Sequence, residues 1–311
     1  MQPPGAIKLE PPEGAHGRIR IVRPRRLAVR CAVLGAGVAL VLVIEAMTLA
    51  VAHAQGRVEA RYTASIAGIP IGTGSLIVVI GEDRFTAAAS GRVSGLLRAL
   101  VGGEGSAAAH GVVSGGRLVP ERFAVHLKAD QSTDDVRIGF DAGIVKEVVA
   151  EPTLPPSTDR VPVTAADRDG VTDPMTAALM PVDATGDVFS PAACQRTLAI
   201  FDGRQRFDLA LSFKRLERVE AQDGFQGSTL VCAITYRPIS GHRPGRAAIQ
   251  YLMEATDMEA WMVPVAGTRI LAPFRITLPT PLGPALLEAD QFVTMMESLD
   301  STAADNKAKV R

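Results

Sequence analysis

From Arg57 to Met296 the chain is divided into short stretches of alternating apolar and polar residues, each ended by turn residues at hairpin spacing. A two-residue period puts every second side chain on one face, so such a chain buries itself as antiparallel strands rather than as a bundle of long helices. The spacing predicts strands over 58–66, 75–80, 84–91, 107–113, 121–129, 134–140 and 144–149, with turns over 68–74 and 81–83. A second series covers 196–201, 206–216, 228–236, 246–255, 259–265, 268–278 and 284–296. Two short helices interrupt the pattern. One, over 93–101, has apolar residues at helical spacing; the other starts with Thr172 or Asp173 as N-cap and Pro174 at the first helical position. Residues 152–162 hold four prolines without apolar periodicity and read as a crossing loop. The expected fold is mainly β: one large curved antiparallel sheet, a half-barrel or open β-barrel, with one or two short helices. With 47% hydrophobic residues the chain is too apolar for disorder, and 29 glycines and 21 prolines suit many turns.

The first 54 residues read as an address. Arg18, Arg20, Arg23, Arg25, Arg26 and Arg30 lead into an uninterrupted apolar run of 14 residues, Cys31 to Ile44, ended by Glu45. That run has the length of a signal-peptide core and falls short of the roughly 20 residues that span a bilayer. Ala52-His53-Ala54 presents small residues to a signal peptidase, so cleavage is expected between Ala54 and Gln55. The alternative is an uncleaved inner-membrane anchor over 31–54, in which burying Glu45 costs about 3 kcal/mol. Cys31 has no lipobox before it, and Arg25-Arg26 reads as ordinary n-region charge. Either way residues 55–298 are expected as a single β-rich periplasmic domain, and 299–311 as a disordered polar tail. Membrane contact is expected only through the N-terminal segment, if it is uncleaved.

Charge excludes one class of partner. The whole chain balances 33 basic against 33 acidic residues, and without residues 1–54 the count is 26 against 30. A mildly acidic body is not drawn to nucleic acid. Cys194 and Cys232 remain after cleavage; in an exported chain they suggest a disulfide, with two buried free thiols as the alternative.

Motifs that carry chemistry are scarce. His110, His126 and His242 are far apart and lack metal-ligand spacing, and Gly91 to Gly95 fails the nucleophile-elbow pattern. Gly102 to Ser106 lacks the lysine of a phosphate loop. No catalytic residue, metal or cofactor is therefore assigned. The most polar cluster is Asp202, Arg204, Arg206 and Asp208, which would share one face of a strand and offer an anionic ligand a guanidinium fork, or form weak surface ion pairs instead. Arg237, His242, Arg243 and Arg246 would extend it.

Asp202-Gly-Arg-Gln-Arg-Phe-Asp-Leu209 after Cys194, Tyr236-Arg-Pro-Ile-Ser-Gly-His-Arg-Pro244 after Cys232, Met258-Glu-Ala-Trp-Met-Val-Pro264, Ala272-Pro-Phe-Arg-Ile276 and Pro281-Leu-Gly283 form a recognisable set, joined by Gly68-Ile-Pro-Ile-Gly72 and Gly116-Arg-Leu-Val-Pro-Glu-Arg-Phe123. Together they resemble, over 57–295, the exported bacterial family labelled domain of unknown function 3108. The resemblance implies a periplasmic, mostly antiparallel β-protein. By looser analogy, long curved sheets of this type resemble half-barrels that carry lipoproteins or other apolar cargo. The preferred functional reading is a binding module for an apolar ligand, a lipid or acyl chain, or for an envelope protein. The alternatives are an envelope-associated hydrolase acting on glycan or peptide, and a structural scaffold; the oligomeric state is left open.

Overall fold

The computed structural model describes residues 55–94, 102–130, 132–183 and 185–297. The address over 1–54, the tail over 299–311 and the expected helix over 93–101, apart from its first two residues, lie outside the described residues. Seven strands form the first half: β1 (Gln55–Ile66), β2 (Ile69–Ile80), β3 (Arg84–Val93), β4 (Gly103–Ser114), β5 (Arg117–Ala129), β6 (Ser132–Asp141) and β7 (Ile144–Glu151). They run as a simple antiparallel meander, each pairing with the next.

The second half contributes β9 (Arg196–Phe201), β10 (Arg206–Glu220), β12 (Gln226–Ser240), β13 (Met258–Pro264), β14 (Ile270–Thr280) and β15 (Gly283–Glu297). The last strand returns to pair with the first, so one continuous sheet has the order β7-β6-β5-β4-β3-β2-β1-β15-β14-β13-β12-β10-β9. Two-residue strands β8 (Met180–Pro181) and β11 (Asp223–Gly224) add to β14 and β15.

The sheet bends until its two ends meet. Phe201 of β9 shares a hydrophobic cluster with Phe123 of β5, Val136 and Ile138 of β6 and Val145 of β7. Gly203, in the β9–β10 turn, lies so close to Val136 that a β-carbon there would collide with it. Residues 171 and 172 link the two edges: the Val171 amide donates to Gly143 O in the β6–β7 turn, at 3.0 Å. Thr172 N donates to Ala199 O and Thr172 O accepts from Phe201 N, both at 2.9 Å. Part of the β9 edge is thus paired within the chain.

Helix α1 (Pro174–Ala177) follows at once. Asp173 is its N-cap, accepting from Met175 N and Thr176 N at 2.9 Å each, with proline at the first position as the sequence reading required. The segment from Met180 to Cys194 then crosses the outer face of the second half, laying Met180, Val182, Ala193 and Cys194 on Leu230, Cys232, Met262 and Leu271. Cys194 and Cys232 form a disulfide within this layer, and both are fully buried. The first half has a single buried face, while the middle of β12, most of β13 and the start of β14 are buried on both.

Two expectations are overturned. The turn expected over 68–74 is only Ala67-Gly68, with φ of 50° and 79°, and Ile66 pairs directly with Ile69. Two successive positive-φ residues make the tight turn that matches strand twist, so β2 starts six residues earlier than its glycines suggest. The strand expected over 246–255 is instead helix α2 (Ala247–Glu254). Its residues are mostly good helix formers, and Ile249, Leu252 and Met253 follow the i, i+3, i+4 spacing; it packs on β12, which extends beyond the start of β13. Among the described residues, no helix is long and apolar enough to cross a membrane.

The disulfide closes a loop of 38 residues in sequence, for which the chain-entropy estimate is about 4 kcal/mol at most. Replacing both cysteines by alanine is expected to lower the unfolding free energy by about 2–4 kcal/mol in urea titrations; an unchanged midpoint would mean that apolar contacts alone hold the crossing segment. Burial raises the Asp173 carboxyl above its ordinary range despite its two amide donors. A carboxyl raised in the folded state contributes stability below its unfolded pKa and loses it as pH rises through the folded one. Asp173→Asn, which keeps the acceptor without the charge, is therefore expected to be more stable than the parent at neutral pH, the difference fading in acid as the parent carboxyl protonates. Asp173→Ala loses the cap and costs about 1 kcal/mol. Urea midpoints on both sides of the carboxylate range check the order.

Candidate functional site

Inward side chains of the meander fall in rows that run straight across the strands, and three successive rows define the site. Val58, Val78, Ala87, Ala109, Phe123 and Ile138 make one, paired in register from β1 through β6 and all buried. Ala60, Leu76, Ala89, Ala107, Val125 and Val136 make the next, with smaller side chains in its middle. In the third row Tyr62 is followed by Gly74, Gly91 and Gly105 before Leu127 and Asp134. Side-chain volume therefore falls towards one end of the concave face and vanishes on three adjacent strands.

The space left is a groove of about 820 Å³. Its floor is the glycine row with Ala89 and Ala107, one wall is Val125 and Leu127, and Met175, Pro273 and Leu287 close it from the far side. Its lining is predominantly apolar and its volume lies within the usual range for small-molecule sites, about 300–1,000 Å³. Tyr62 stands at the head of the row, where its hydroxyl donates to Pro273 O at 2.6 Å and so ties β1 to β14 across the bend. Burial pushes this phenol far above its usual pKa, so it remains a neutral donor.

On the opposite face of the same strands the corresponding row is Arg61, Ser75, Ser90, Ser106, His126 and Asp135. All of it except Asp135 lines a hollow of about 910 Å³, bounded mostly by polar residues, that extends to Asp223 and Asp290. Ser75 and Ser90 hydroxyls are 2.9 Å apart, and His126 Nδ1 lies 2.7 Å from Asp135 Oδ1. Ser106, His126 and Asp135 thus succeed one another as in a nucleophile–base–acid series. Two features argue against acyl transfer: the His–Asp pair is exposed, and β4 is paired on both edges, so its ladder commits the amides that would have to hold an oxyanion.

The polar cluster singled out in the sequence is divided among several tasks. Asp202 lies in the β9–β10 turn rather than on the strand, so residues 202 to 208 do not present one strand face. Asp202 Oδ1 accepts from Arg204 N at 2.8 Å and Gln205 N at 2.7 Å, and burial raises its carboxyl pKa. Arg204 reaches across the bend to Asp134, at 2.8 Å, on the groove wall. Arg206 and Asp208 pair with each other on β10 at 2.7 Å. Arg243 is held at 2.7 Å by Asp159, whose carboxyl is lowered by Ser157 and then by Arg243 itself. His242 is buried and its carbonyl accepts from Val161 N, while His110 lies 3.8 Å from Glu121. Of this cluster only Arg204, through Asp134, touches the groove. Among the described residues, His, Cys, Asp and Glu side chains do not gather as a metal ion would require. Gln55 opens β1, and Ala54 lies outside the described residues.

A second, half-buried polar array lies on β10, β13 and β14. Trp261 Nε1 donates to Glu217 at 3.0 Å, and Arg215 and Arg275 lie 5.4 Å and 4.9 Å from the ring centroid. Arg215 pairs with Glu217 and Glu259, and Arg275 with Glu288, so these charges are matched within the array. The array holds strands together and leaves no fork for a ligand.

No curated protein sequence matches this chain. A crystal structure described as a beta-barrel-like protein of domain of unknown function DUF1849 from Brucella abortus is similar at a TM-score of 0.42 and 9% identity, over 78% of this chain and 98% of that one. A family model described as protein of unknown function (DUF3108) matches residues 61–290, and the chain belongs to that family.

Proposed function

We propose that this protein is an exported, non-catalytic binding module whose concave groove holds an apolar ligand, an acyl chain of a lipid. The observation that carries this reading is the in-register row Gly74, Gly91 and Gly105, which leaves an apolar space on the concave face beside the rows Leu76, Ala89, Ala107 and Val78, Ala87, Ala109. An unbranched chain needs an elongated channel without hydrogen-bonding partners, and burying each CH₂ group is worth about 0.8 kcal/mol. Export is supported by the basic segment and 14-residue apolar run ahead of Gln55, and by a buried disulfide, which suits an oxidising compartment.

The groove can be filled without disturbing the sheet. A β-carbon on Gly91 would meet only Thr73 O, at an ordinary 3.5 Å, whereas one on Gly105 would approach Leu127 Cδ2 to 2.6 Å. Gly91→Val therefore places a β-branched side chain in the groove at a strand position that favours it. The expected result is an unchanged or higher melting temperature together with at least about a tenfold loss of affinity for a fluorescent long-chain fatty acid, equal to about 1.4 kcal/mol. Equal affinity of parent and variant would place the ligand elsewhere.

A further inference from the structure

The mouth of the groove carries a feature that ligand binding does not require. The β1–β2 and β14–β15 hairpins end side by side, because Ala67 N donates to Pro284 O at 2.9 Å. Gly283 is so close to Ala67 that a β-carbon on it would come within 2.9 Å of the alanine methyl. The double tip is apolar and exposed: Ile69 is 59% exposed and Leu282 77%, flanked by Pro70, Pro281 and Pro284, all exposed. Leu278, 40% exposed, stands just behind.

Charge is missing from both hairpins. Between Arg61 and Glu82, and again between Arg275 and Glu288, there is no Asp, Glu, Lys, Arg or His, in a chain that is 21% charged. Burial explains this along the inner parts of β2 and β14 but not at the tip, where solvated turns ordinarily carry polar residues. The tip also continues directly into the groove lining, since Ile71 and Gly72 follow Pro70 and Leu287 follows the β14–β15 turn.

We infer that the paired tips around Ile69 and Leu282 are a wedge that enters the interfacial region of a lipid bilayer, bringing the groove mouth to the membrane surface. A bilayer, rather than a protein, is chosen because the tips are two small knobs of aliphatic and proline residues rather than a broad patch of paired polar and apolar groups, and because turns without charged side chains enter the interfacial region without the cost of desolvating an ion. That choice of occupant rests on the acyl-groove reading; the wedge itself stands on exposure and charge. Attachment through these tips adds a membrane contact beyond any made by the N-terminal segment, and it is driven by apolar area rather than by lipid charge.

The test uses the full chain with vesicles of pure phosphatidylcholine. The one native tryptophan, Trp261, is only 6% exposed and serves as an internal background. In Leu282→Trp, vesicles are expected to shift the added emission to the blue, and brominated phosphatidylcholine to quench it. Adding Ile69→Glu should abolish both, and raising salt to about 1 M, where charge interactions are screened within about 3 Å, should change neither. In flotation, Ile69→Glu with Leu282→Glu should weaken the tip's partitioning by about a hundredfold, the equivalent of two aliphatic side chains.

If the added emission of Leu282→Trp is unaffected by vesicles, the proposal is overturned, whether or not the chain floats through its N-terminal segment. A blue shift that follows protein concentration without vesicles assigns the tips to a second copy and also overturns it. The two readings fail separately: Gly91→Val, introduced into Leu282→Trp, should lose the fatty acid and keep the bromolipid quenching, and Ile69→Glu, introduced into Leu282→Trp, should keep the fatty acid and lose the quenching.

Discussion

The bend of the sheet depends on one seam, where the β9–β10 hairpin lies against β6 and residues 171–172 link both edges. Thirteen strands in sequence could otherwise form an open ribbon with two sticky edges and one greasy face. Packing Phe201 among Phe123, Val136 and Ile138, and seating Gly203 where only hydrogen fits against Val136, turns that ribbon into a concave surface. Arg204 paired with Asp134 and Val171 bonded to Gly143 reinforce the same seam with polar contacts. The groove exists because the far side of the bend brings Met175 and Pro273 over the meander.

Given the bend, the volume of side chains decides what is enclosed. Where rows supply valine, phenylalanine and isoleucine the interior is packed, and the core rows of β1 to β6 are solid. Where the row supplies three glycines the same backbone leaves a space, and the walls remain apolar. Tyr62 is placed between these regimes, with its ring in the core and its hydroxyl satisfied by Pro273 O. The opposite face of these glycines is serine-rich, so the sheet separates an apolar groove from a hollow lined mostly by polar residues by the thickness of one strand layer.

Much of this was legible in the sequence. Alternation identified nearly every strand, since one buried face per strand enforces a two-residue period, and Asp173-Pro174 marked a helix start that the structure keeps. The Cys194–Cys232 bridge was a reading of compartment and number. Two local errors had local causes: Ala67-Gly68 makes a tighter turn than the run of glycines after it suggests, and Ile249 and Tyr251 are strand-favouring residues within a stretch whose Ile249, Leu252 and Met253 follow helical spacing. The groove was missed for a different reason. Gly74, Gly91 and Gly105 are separate punctuation marks along the chain and become one row only through register, which is a non-local property. The cluster from Asp202 to Asp208 failed as a single face because its first members form a turn, and Arg204 found its partner 70 residues away.

The central claim is that a glycine-floored groove in a closed-up sheet holds an apolar chain. Native mass spectrometry of the protein purified from its own cells under non-denaturing conditions, followed by lipid extraction, tests it most directly. The account predicts a lipid-sized adduct on the folded polypeptide that disappears on denaturation and is recovered in the organic phase. A folded protein with intact disulfide and only the polypeptide mass would contradict it.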